Sequence, residues 1–327
     1  MLRRPFVEKK TCLHPDAPAG CRKVIRAHTL QRSGIIRRLI GADNHVLSFH
    51  PLEPDHDGLL RIHRVGQREA STFLGFCGSH DATLFSAIER EPFVGSDKQI
   101  LLAGYRALCH ELYQKQAATD AEKVLAENLD RGMPESGQRR IQEMLAAASA
   151  GRQAGLKEVR GLKKVYEDIL HTQDYSRVHS TVLWFRGAPH VASTGAVHVD
   201  FDLRGNRLQN LARDPMPIHG LTFGMLSTAD GCAFVAGWPA DFEKCDVFIR
   251  SLLSHCPEEV PSLLVEFFFA YVENTYFSEA WWEVLPQVNR DRLMQLAGIP
   301  IFYGRALRYS GLRHVGWNLA ERRLRLD

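Results

Sequence analysis

The sequence lacks any apolar run long enough to cross a lipid bilayer. Its longest apolar stretch, VPSLLVEFFFAYV at 260–272, includes Glu266, whereas a membrane-spanning helix needs about 20 apolar residues. The stretch therefore predicts a buried helix. The N-terminal MLRRPFVEKK has no apolar segment after its basic residues, which predicts no signal peptide. We expect a cytoplasmic protein that does not bind membranes.

Several sequence signatures of common protein classes are also missing. There is no repeat of solenoid period and no low-complexity segment, which argues against repeat and disordered proteins. The phosphate-binding loop of nucleotide hydrolases, the glycine fingerprint of dinucleotide-binding folds and the G-x-S-x-G nucleophile motif are absent. A chain of 327 residues with 45% apolar residues instead predicts a globular protein of two domains, or of one large domain with appendages.

The seven cysteines do not have the pattern of a disulfide framework. Their number is odd, and the chain is large and predicted to be cytoplasmic. Four of them lie in apolar or mixed surroundings and are interpreted as small core residues: Cys109, Cys232, Cys245 and Cys256. The other three, Cys12, Cys21 and Cys77, need a separate explanation.

Positive charge is concentrated at the two ends of the chain. Residues 1–50 contain ten Lys or Arg and three acids, and residues 303–327 contain six Arg and two acids. Because the total is only +3, the middle of the chain is acidic. This distribution favours binding of a polyanion at one surface, although a solvated basic face would look the same.

Hydrophobic periodicity divides the chain into three parts and predicts an α+β fold. Residues 1–92 are rich in Cys, His, Gly and Arg, as in a small metal-stabilised module. Residues 93–175 show helical spacing in two runs separated by GMPES at 132–136, which predicts a helical connector in the form of an antiparallel hairpin. Residues 176–327 combine short β-rich runs, predicted to be antiparallel strands, with helical segments, as in an α+β domain.

The N-terminal part contains a set of zinc-ligand residues. Cys77 and His80 form a C-x₂-H pair directly before a helix-like DATLFSAIE, and Cys12 and Cys21 flank a loop with the sequence LHPDAPAG. Zinc takes four Cys or His ligands, often two from each of two such turns. We therefore predict a structural zinc ion on Cys12, Cys21, Cys77 and His80. His14 is an alternative to Cys12, and His110 is a more remote one.

The order of these motifs resembles the HNH (ββα-metal) endonucleases of the treble-clef class. The resemblance covers residues 12–90 and is carried by the Cys pair, by AHTLQRSG and by CGSHDATLF. These motifs are also similar to an uncharacterised group of bacterial proteins. The resemblance implies that His28 is the general base, that Asp81 is a metal- or phosphate-orienting residue on the helix, and that magnesium or another divalent ion assists.

Two positions depart from this family pattern. Ala27 stands where the family usually has an acidic or histidine metal ligand, and no Asn precedes Cys77 in EASTFLGF. Glu89, or Asp43 with His45, are alternatives for the missing ligand. His28 itself has three interpretations: a general base, a structural residue that fixes the hairpin, or a zinc ligand in place of His80 or Cys12.

The sequence thus predicts a metal-dependent nuclease, a hydrolase that cleaves DNA or RNA. The residues expected to contact nucleic acid are Arg26, Gln31, Arg32, Arg37 and Arg38. The alternatives are a non-catalytic zinc module that binds nucleic acid or a protein partner, and a protein whose main function lies in the C-terminal domain.

Two further motifs are interpreted structurally. VHVDFD at 197–202 alternates like a strand and would place His198, Asp200 and Asp202 on one face, as a second metal site or, by preference, as an exposed polar face. Trp281 and Trp282 have no basic neighbours and are interpreted as core residues rather than as a base-stacking platform.

Overall fold

The architecture of the chain is known from a computed structural model. It describes residues 10–17, 21, 23–49, 60–126, 129–211, 213–298 and 306–326. The predictions for the N-terminal MLRRPFVEKK and for part of the loop between Cys12 and Cys21 therefore lie outside the described residues. Within the described residues, no helix combines the length and apolar character needed to cross a bilayer.

The fold is α+β with antiparallel sheets, as predicted. The strands are β1 Val24–His28, β2 His45–Phe49, β3 Ile62–Gly66, β4 Thr72–Cys77, β5 Val178–Arg186, β6 Val191–His198, β7 Gly220–Ser227, β8 Gly231–Pro239, β9 Thr275–Phe277 and β10 Asn318–Arg325. The helices are α1 Arg37–Leu39, preceded by a π-type turn at Arg32–Ile36, α2 Gly78–Leu84, α3 Ser86–Glu89, α4 Asp97–Ala126, α5 Glu135–Thr172, α6 Glu243–Leu253, α7 Val260–Tyr271, α8 Glu279–Val284 and α9 Gln287–Ala297.

Eight strands form one antiparallel sheet in the order β10-β5-β8-β7-β6-β9-β2-β3, and β1 and β4 form a separate two-stranded sheet. The central strands β7 and β8 are buried along almost their whole length. Helix α4 packs on β6, β7 and β8, and α7 also contacts β6. A strand that is covered on both faces needs apolar residues at successive positions, which the GCAFVAGWP sequence of β8 provides.

The eight-stranded sheet crosses the predicted boundaries of the three parts. Strand β2 pairs with β9, so that Leu47 lies opposite Phe277. Ile35 and Ile36, from the turn after β1, belong to the same buried cluster as residues of β7, β8 and α7. Residues 1–92 thus share the main core with residues 176–327, because β2, β3 and this turn have too little apolar surface of their own to form another.

The predicted helical hairpin is confirmed. Helices α4 and α5 contact each other along their length. The hydroxyl of Tyr105 on α4 donates to Glu167 near the end of α5 at 2.9 Å, whereas Glu122 near the end of α4 pairs with Arg152 in the middle of α5. These contacts run in opposite directions along the two helices, so the hairpin is antiparallel.

The strand predicted for VHVDFD was wrong beyond His198, where β6 ends. The Asp202 carboxylate accepts hydrogen bonds from the backbone N–H groups of Arg204 and Asn206 at 2.9 and 2.8 Å. Aspartate side chains stabilise tight turns in this way, so the chain reverses there.

The interpretation of Trp281 and Trp282 as core residues is confirmed, because Trp281 is buried and Trp282 packs against the same cluster.

Candidate metal centre and the adjoining cluster around Arg106

Four predicted zinc ligands come together at one end of the β1–β4 sheet. The sulfurs of Cys12, Cys21 and Cys77 and a ring nitrogen of His80 lie within 4.8 Å of one another, the one such group among the described residues. The His80 Nδ1 atom is 3.3 Å from Cys12 Sγ and 3.4 Å from Cys21 Sγ, and the Cys21 and Cys77 sulfurs are 3.6 Å apart. Metal bonds of about 2.0–2.3 Å in a tetrahedron give edges of roughly 3.3–3.8 Å. The cluster can therefore hold a metal ion such as zinc.

Short backbone contacts position the four ligands. Cys77 is the N-cap residue of α2, and its sulfur accepts from the His80 backbone N–H at 3.5 Å. Cys12 lies on a segment that runs beside β4, where the Leu13 N–H donates to the Gly75 carbonyl at 2.8 Å. The Cys77 N–H in turn donates to Cys12 Sγ at 3.4 Å. The C-x₂-H spacing thus places both side chains on the first turn of one helix.

The pKa values of two thiols shift in opposite directions in this cluster. The His80 backbone N–H at the helix start lowers the pKa of Cys77, because it stabilises the thiolate. Burial and the two neighbouring thiols raise the pKa of Cys21 to about 11. Three thiolates this close repel one another, and a bound dication removes that repulsion.

The two alternative ligands lie outside the group of four. The ring of His14 stacks on that of His80, with centroids 4.1 Å apart, and its Nδ1 accepts from the Asp16 N–H at 3.1 Å. His110 is buried, packs edge-on against Phe73 and lies 3.3 Å from the Gln114 amide.

A second cluster adjoins the metal centre and contains both predicted catalytic residues. We call His28, Asp81, Glu89 and Arg106 the Arg106 cluster. Arg106 comes from α4, its side chain is only 2% exposed, and its guanidinium lies 4.0 Å from the ring centre of Phe85. It forms a close ion pair with Glu89, and its NH2 is 3.6 Å from Asp81 Oδ1. The carboxylates of Asp81 and Glu89 are themselves 20% and 30% exposed, so the cluster opens to solvent on their side.

His28 lies at the end of β1, opposite Thr72 of β4. Its Nε2 atom is buried and has no hydrogen-bond partner among the described residues. Burial is the main cause that lowers the pKa of His28. The positive charges of Arg32 and Arg106 lower it further, whereas the Gln67 backbone and the negative charge of Glu89 raise it. His28 is thus a neutral histidine at pH 7 with one uncommitted ring nitrogen.

The Arg106 cluster does not fit the magnesium ion that the family resemblance implies. Magnesium needs near-octahedral oxygen ligands that point to one centre, and His28, Asp81 and Glu89 form no such group. Asp81 and Glu89 point to Arg106 instead, whose positive charge cannot be removed at any ordinary pH. Asp43 and His45, the other suggested ligands, pair with one another and Asp43 with Arg64.

The structure explains the departure at Ala27. Its side chain is 1% exposed and belongs to the buried cluster that includes Phe73, Phe76 and Tyr105. An acidic residue at this position would lose its hydration among apolar side chains, at a cost of several kcal/mol. Position 27 therefore serves the core here rather than a metal.

The four arginines predicted to contact nucleic acid, Arg26, Arg32, Arg37 and Arg38, are exposed. Gln31 and Arg38 also make contacts within the protein. The Gln31 amide donates to the Ile88 carbonyl and accepts from the Ser227 N–H. The Arg38 guanidinium donates to the carbonyls of Thr228 and Gly231 at the β7–β8 turn. The sequence indicated the polar character of these side chains but not their direction.

A large cavity lies elsewhere, between the α4–α5 hairpin and the β6 and α7 surface, with a volume of about 2970 Å³. His198 and Asp200, singled out in the sequence, line it. His198 pairs with Glu158 at 3.3 Å, and burial lowers its pKa to about 4. Burial raises the pKa of Asp200 to about 6. These side chains do not converge with Asp202, which is engaged in its own turn, so no metal site forms among them.

Arg106, which pairs with Asp81 and Glu89, was not singled out from the sequence. Its signal is a charged residue inside the apolar run LLAGYRALC of α4, where burial requires a paired counter-charge.

In comparisons with models of protein families, with curated proteins and with solved structures, nothing matches the chain.

Proposed function

We propose that the chain is a zinc-stabilised nuclease that cleaves phosphodiester bonds with His28 as the general base. One observation carries this proposal: the Nε2 atom of His28 is buried without a hydrogen-bond partner, and the charges of Glu89 and Arg106 act on its ring. Arg106 also pairs with Asp81. The two residues that the HNH resemblance suggests as a pair are thus neighbours of one guanidinium.

The surroundings of His28 suit proton abstraction. A base must be unprotonated at the working pH, and burial of the ring lowers the pKa of His28. Once the ring accepts a proton, the negative charge of Glu89 stabilises the imidazolium ion.

The zinc ion has a structural role in this proposal. It joins the segment of Cys12 and Cys21 to the start of α2, the helix that carries Asp81 next to His80. Chelate bonds to four side chains fix the start of this helix more firmly than backbone hydrogen bonds alone. The distance from Asp81 to Arg106, and so the shape of the cluster, depends on that position.

Exposed arginines on β1 and on the segment that follows it provide the attraction for a nucleic acid backbone. Arg26, Arg32 and Arg37 are exposed on β1 and the following turn and helix. Arginine binds phosphate through a planar pair of N–H donors, and such contacts position a strand without reading its sequence. Binding should therefore weaken as salt concentration rises.

A second candidate is a non-catalytic zinc module that binds nucleic acid or a protein partner. Two observations favour it: Ala27 is committed to the core, and both carboxylates of the Arg106 cluster are already paired. In this reading His28 is a structural residue at the strand end.

Cleavage assays on the full-length, zinc-loaded protein separate the two candidates. We expect cleavage of labelled oligonucleotides by the wild type and a loss of about 100-fold or more in His28→Ala, the usual effect of removing a general base. His171→Ala, at an exposed position near the end of α5, is the matched control and should retain full activity. Salt-dependent binding without cleavage by both the wild type and His28→Ala would support the non-catalytic candidate instead.

A further inference from the structure

The cavity between the α4–α5 hairpin and the β6 and α7 surface is large enough to hold a ligand. Its volume of about 2970 Å³ exceeds the roughly 300–1,000 Å³ of sites that bind drug-sized molecules. Among the described residues that line it, none belongs to the candidate metal centre or to the Arg106 cluster. The cavity is therefore separate from the site of the proposed function.

Most of the cavity wall is apolar. Both helices of the hairpin, strand β6 and helix α7 contribute aliphatic or aromatic side chains to it, among them Leu108, Val159, Leu162, Val197, Phe267 and Ala270. Water gains little from contact with such a surface, and an apolar molecule that covers it is favoured by the hydrophobic effect. The body of a ligand for this cavity is therefore apolar.

The partly buried cations of the wall already have carboxylate partners. The ion pairs are Lys115 with Glu111, Arg152 with Glu122 and Arg292 with Glu266, at 3.2, 2.6 and 3.3 Å. The other lysine and arginine side chains that line the cavity are exposed, so that water screens their charge: Lys157, Arg177 and Arg308. The wall thus offers no partly buried cation that is free to bind an anionic ligand, as far as its described residues go.

Three carboxylates of the wall have no lysine or arginine partner in the described part of the chain. Glu158 on α5 contacts His198 at the end of β6 at 3.3 Å, whereas Asp200 and Glu273 form no ion pair. His198 does not supply a positive charge at pH 7, because burial lowers its pKa to about 4. Burial raises the pKa of Glu158, and that of Asp200 to about 6. A nearby cation would therefore stabilise these carboxylates.

We propose that this cavity binds an elongated apolar molecule that carries a protonated amine. The apolar body covers the side chains of the hairpin and α7, and the ammonium group lies at the carboxylates of Glu158 and Asp200. Glu158 contacts His198, and two residues of chain span at most about 7 Å, so Asp200 belongs to the same part of the wall. The attraction is stronger here than in water, because the effective dielectric constant near an apolar wall is lower.

The test compares three probes that have the same alkyl chain and different head groups: decylamine, decanol and decanoate. Equilibrium dialysis of the full-length protein at pH 7, below the micelle concentration of each probe, measures affinity and stoichiometry. We expect one saturable site for decylamine, at least about tenfold tighter than for the other two probes. The chain has a net charge of +3, so non-specific attraction would favour decanoate instead.

Variants locate the ammonium group. Glu158→Gln removes the charge and keeps a polar group beside His198, so it should weaken decylamine binding about tenfold and leave decanol binding unchanged. Asp200→Asn should act in the same direction. Glu135→Gln, at the start of the same helix α5 with a side chain that is 90% exposed, is the control and should have no effect. Near-UV circular dichroism verifies that each variant is folded.

Each possible result bears on a distinct part of this inference. Equal affinity for the three probes, or tighter binding of decanoate, would overturn the assignment of a cationic ligand. Absence of saturable binding for all three would overturn the cavity as a ligand site. Decylamine binding that neither Glu158→Gln nor Asp200→Asn weakens would overturn the position of the ammonium group. The cleavage assays with His28→Ala test the nuclease proposal independently of these results.

Discussion

At the scale of single residues, the protonation state of His28 follows from the groups that surround its ring in the fold, not from its sequence motif. Its ring is largely buried, and burial is the main cause of its lowered pKa, while the Gln67 backbone and Glu89 act in the opposite direction. An ordinary histidine titrates near 6.5. The protein thus carries a neutral imidazole at pH 7, which a base requires.

We predict that the His28 ring protonates below pH 6.5 in the folded protein. Because the unfolded chain binds this proton more readily than the folded one, the contribution of His28 to stability is complete at neutral pH and decreases as the pH falls below about 6.5. An NMR titration of the ring protons, assigned with His28→Ala, measures this directly. A midpoint at or above 6.5 would contradict the burial of the ring.

Also at this scale, the four side chains of the candidate metal centre could be predicted from the sequence, whereas the position of Arg106 could not. Cys77 and His80 are separated by one helical turn, so local geometry alone brings them together. Arg106 reaches Asp81 and Glu89 only because α4 packs against α3, a tertiary contact without a local sequence signal. For the same reason the sequence did not show that Gln31 and Arg38 turn toward the protein.

At the scale of secondary structure elements, the close approach of α4 to the sheet depends on a glycine. A Cβ atom at Gly104 would overlap the Thr222 hydroxyl on β7 and lie 3.1 Å from the Tyr166 ring. That hydroxyl also donates to the Gly237 carbonyl at 3.1 Å, so it cannot move without loss of a buried hydrogen bond. Arg106 lies on the same helix, two residues further along, and its position therefore depends on this contact.

We predict that Gly104→Ala lowers the free energy of unfolding by about 1–3 kcal/mol, as overpacking of a core typically does. Gly161→Ala, on an exposed position of α5 where a Cβ would meet nothing within 4 Å, should instead raise it by about 0.5–1 kcal/mol, because alanine favours the helix. Urea denaturation of both variants provides the comparison. Equal effects of the two substitutions would contradict the close packing of α4 on β7.

Helices and strands with a long periodic or apolar pattern were predicted from the sequence. Strands whose formation depends on pairing with distant segments of the chain were not. Helices α4, α5 and α7 have such patterns and were predicted. Strand β9 has only three residues and is defined by its pairing with β2 and β6. Strand β10, with the sequence NLAERRLR, lacks clear alternation because it is an edge strand whose arginines make individual contacts, such as Arg323 over the ring of Trp184.

At the scale of the whole molecule, the N-terminal and C-terminal parts of the chain share one core. The β2–β9 pairing and the burial of Ile35 and Ile36 in the main cluster connect them. The composition of residues 1–92 suggested an independent module, because Cys, His and Gly are concentrated there. A sequence shows which residues are apolar but not which distant segment covers them.

We therefore predict that the full-length protein unfolds in a single cooperative transition. A fragment of residues 93–327 should not fold, because it exposes the apolar residues that β2 and the turn after β1 cover. Differential scanning calorimetry of the full chain and near-UV circular dichroism of the fragment test this. Two separate transitions, or a fragment with a native spectrum, would show that the two parts fold independently.

The candidate metal centre joins the segment of Cys12 to the start of α2, the helix that carries Asp81. Elemental analysis of the purified protein measures its metal content. We predict one zinc ion per chain in the wild type, its loss in Cys77→Ser, and its retention in Cys256→Ser. Cys256 is an exposed free cysteine outside the cluster, so its interpretation as a core residue was wrong. A wild-type protein without bound metal, or with metal retained in Cys77→Ser, would contradict the assignment of Cys12, Cys21, Cys77 and His80 as a zinc site.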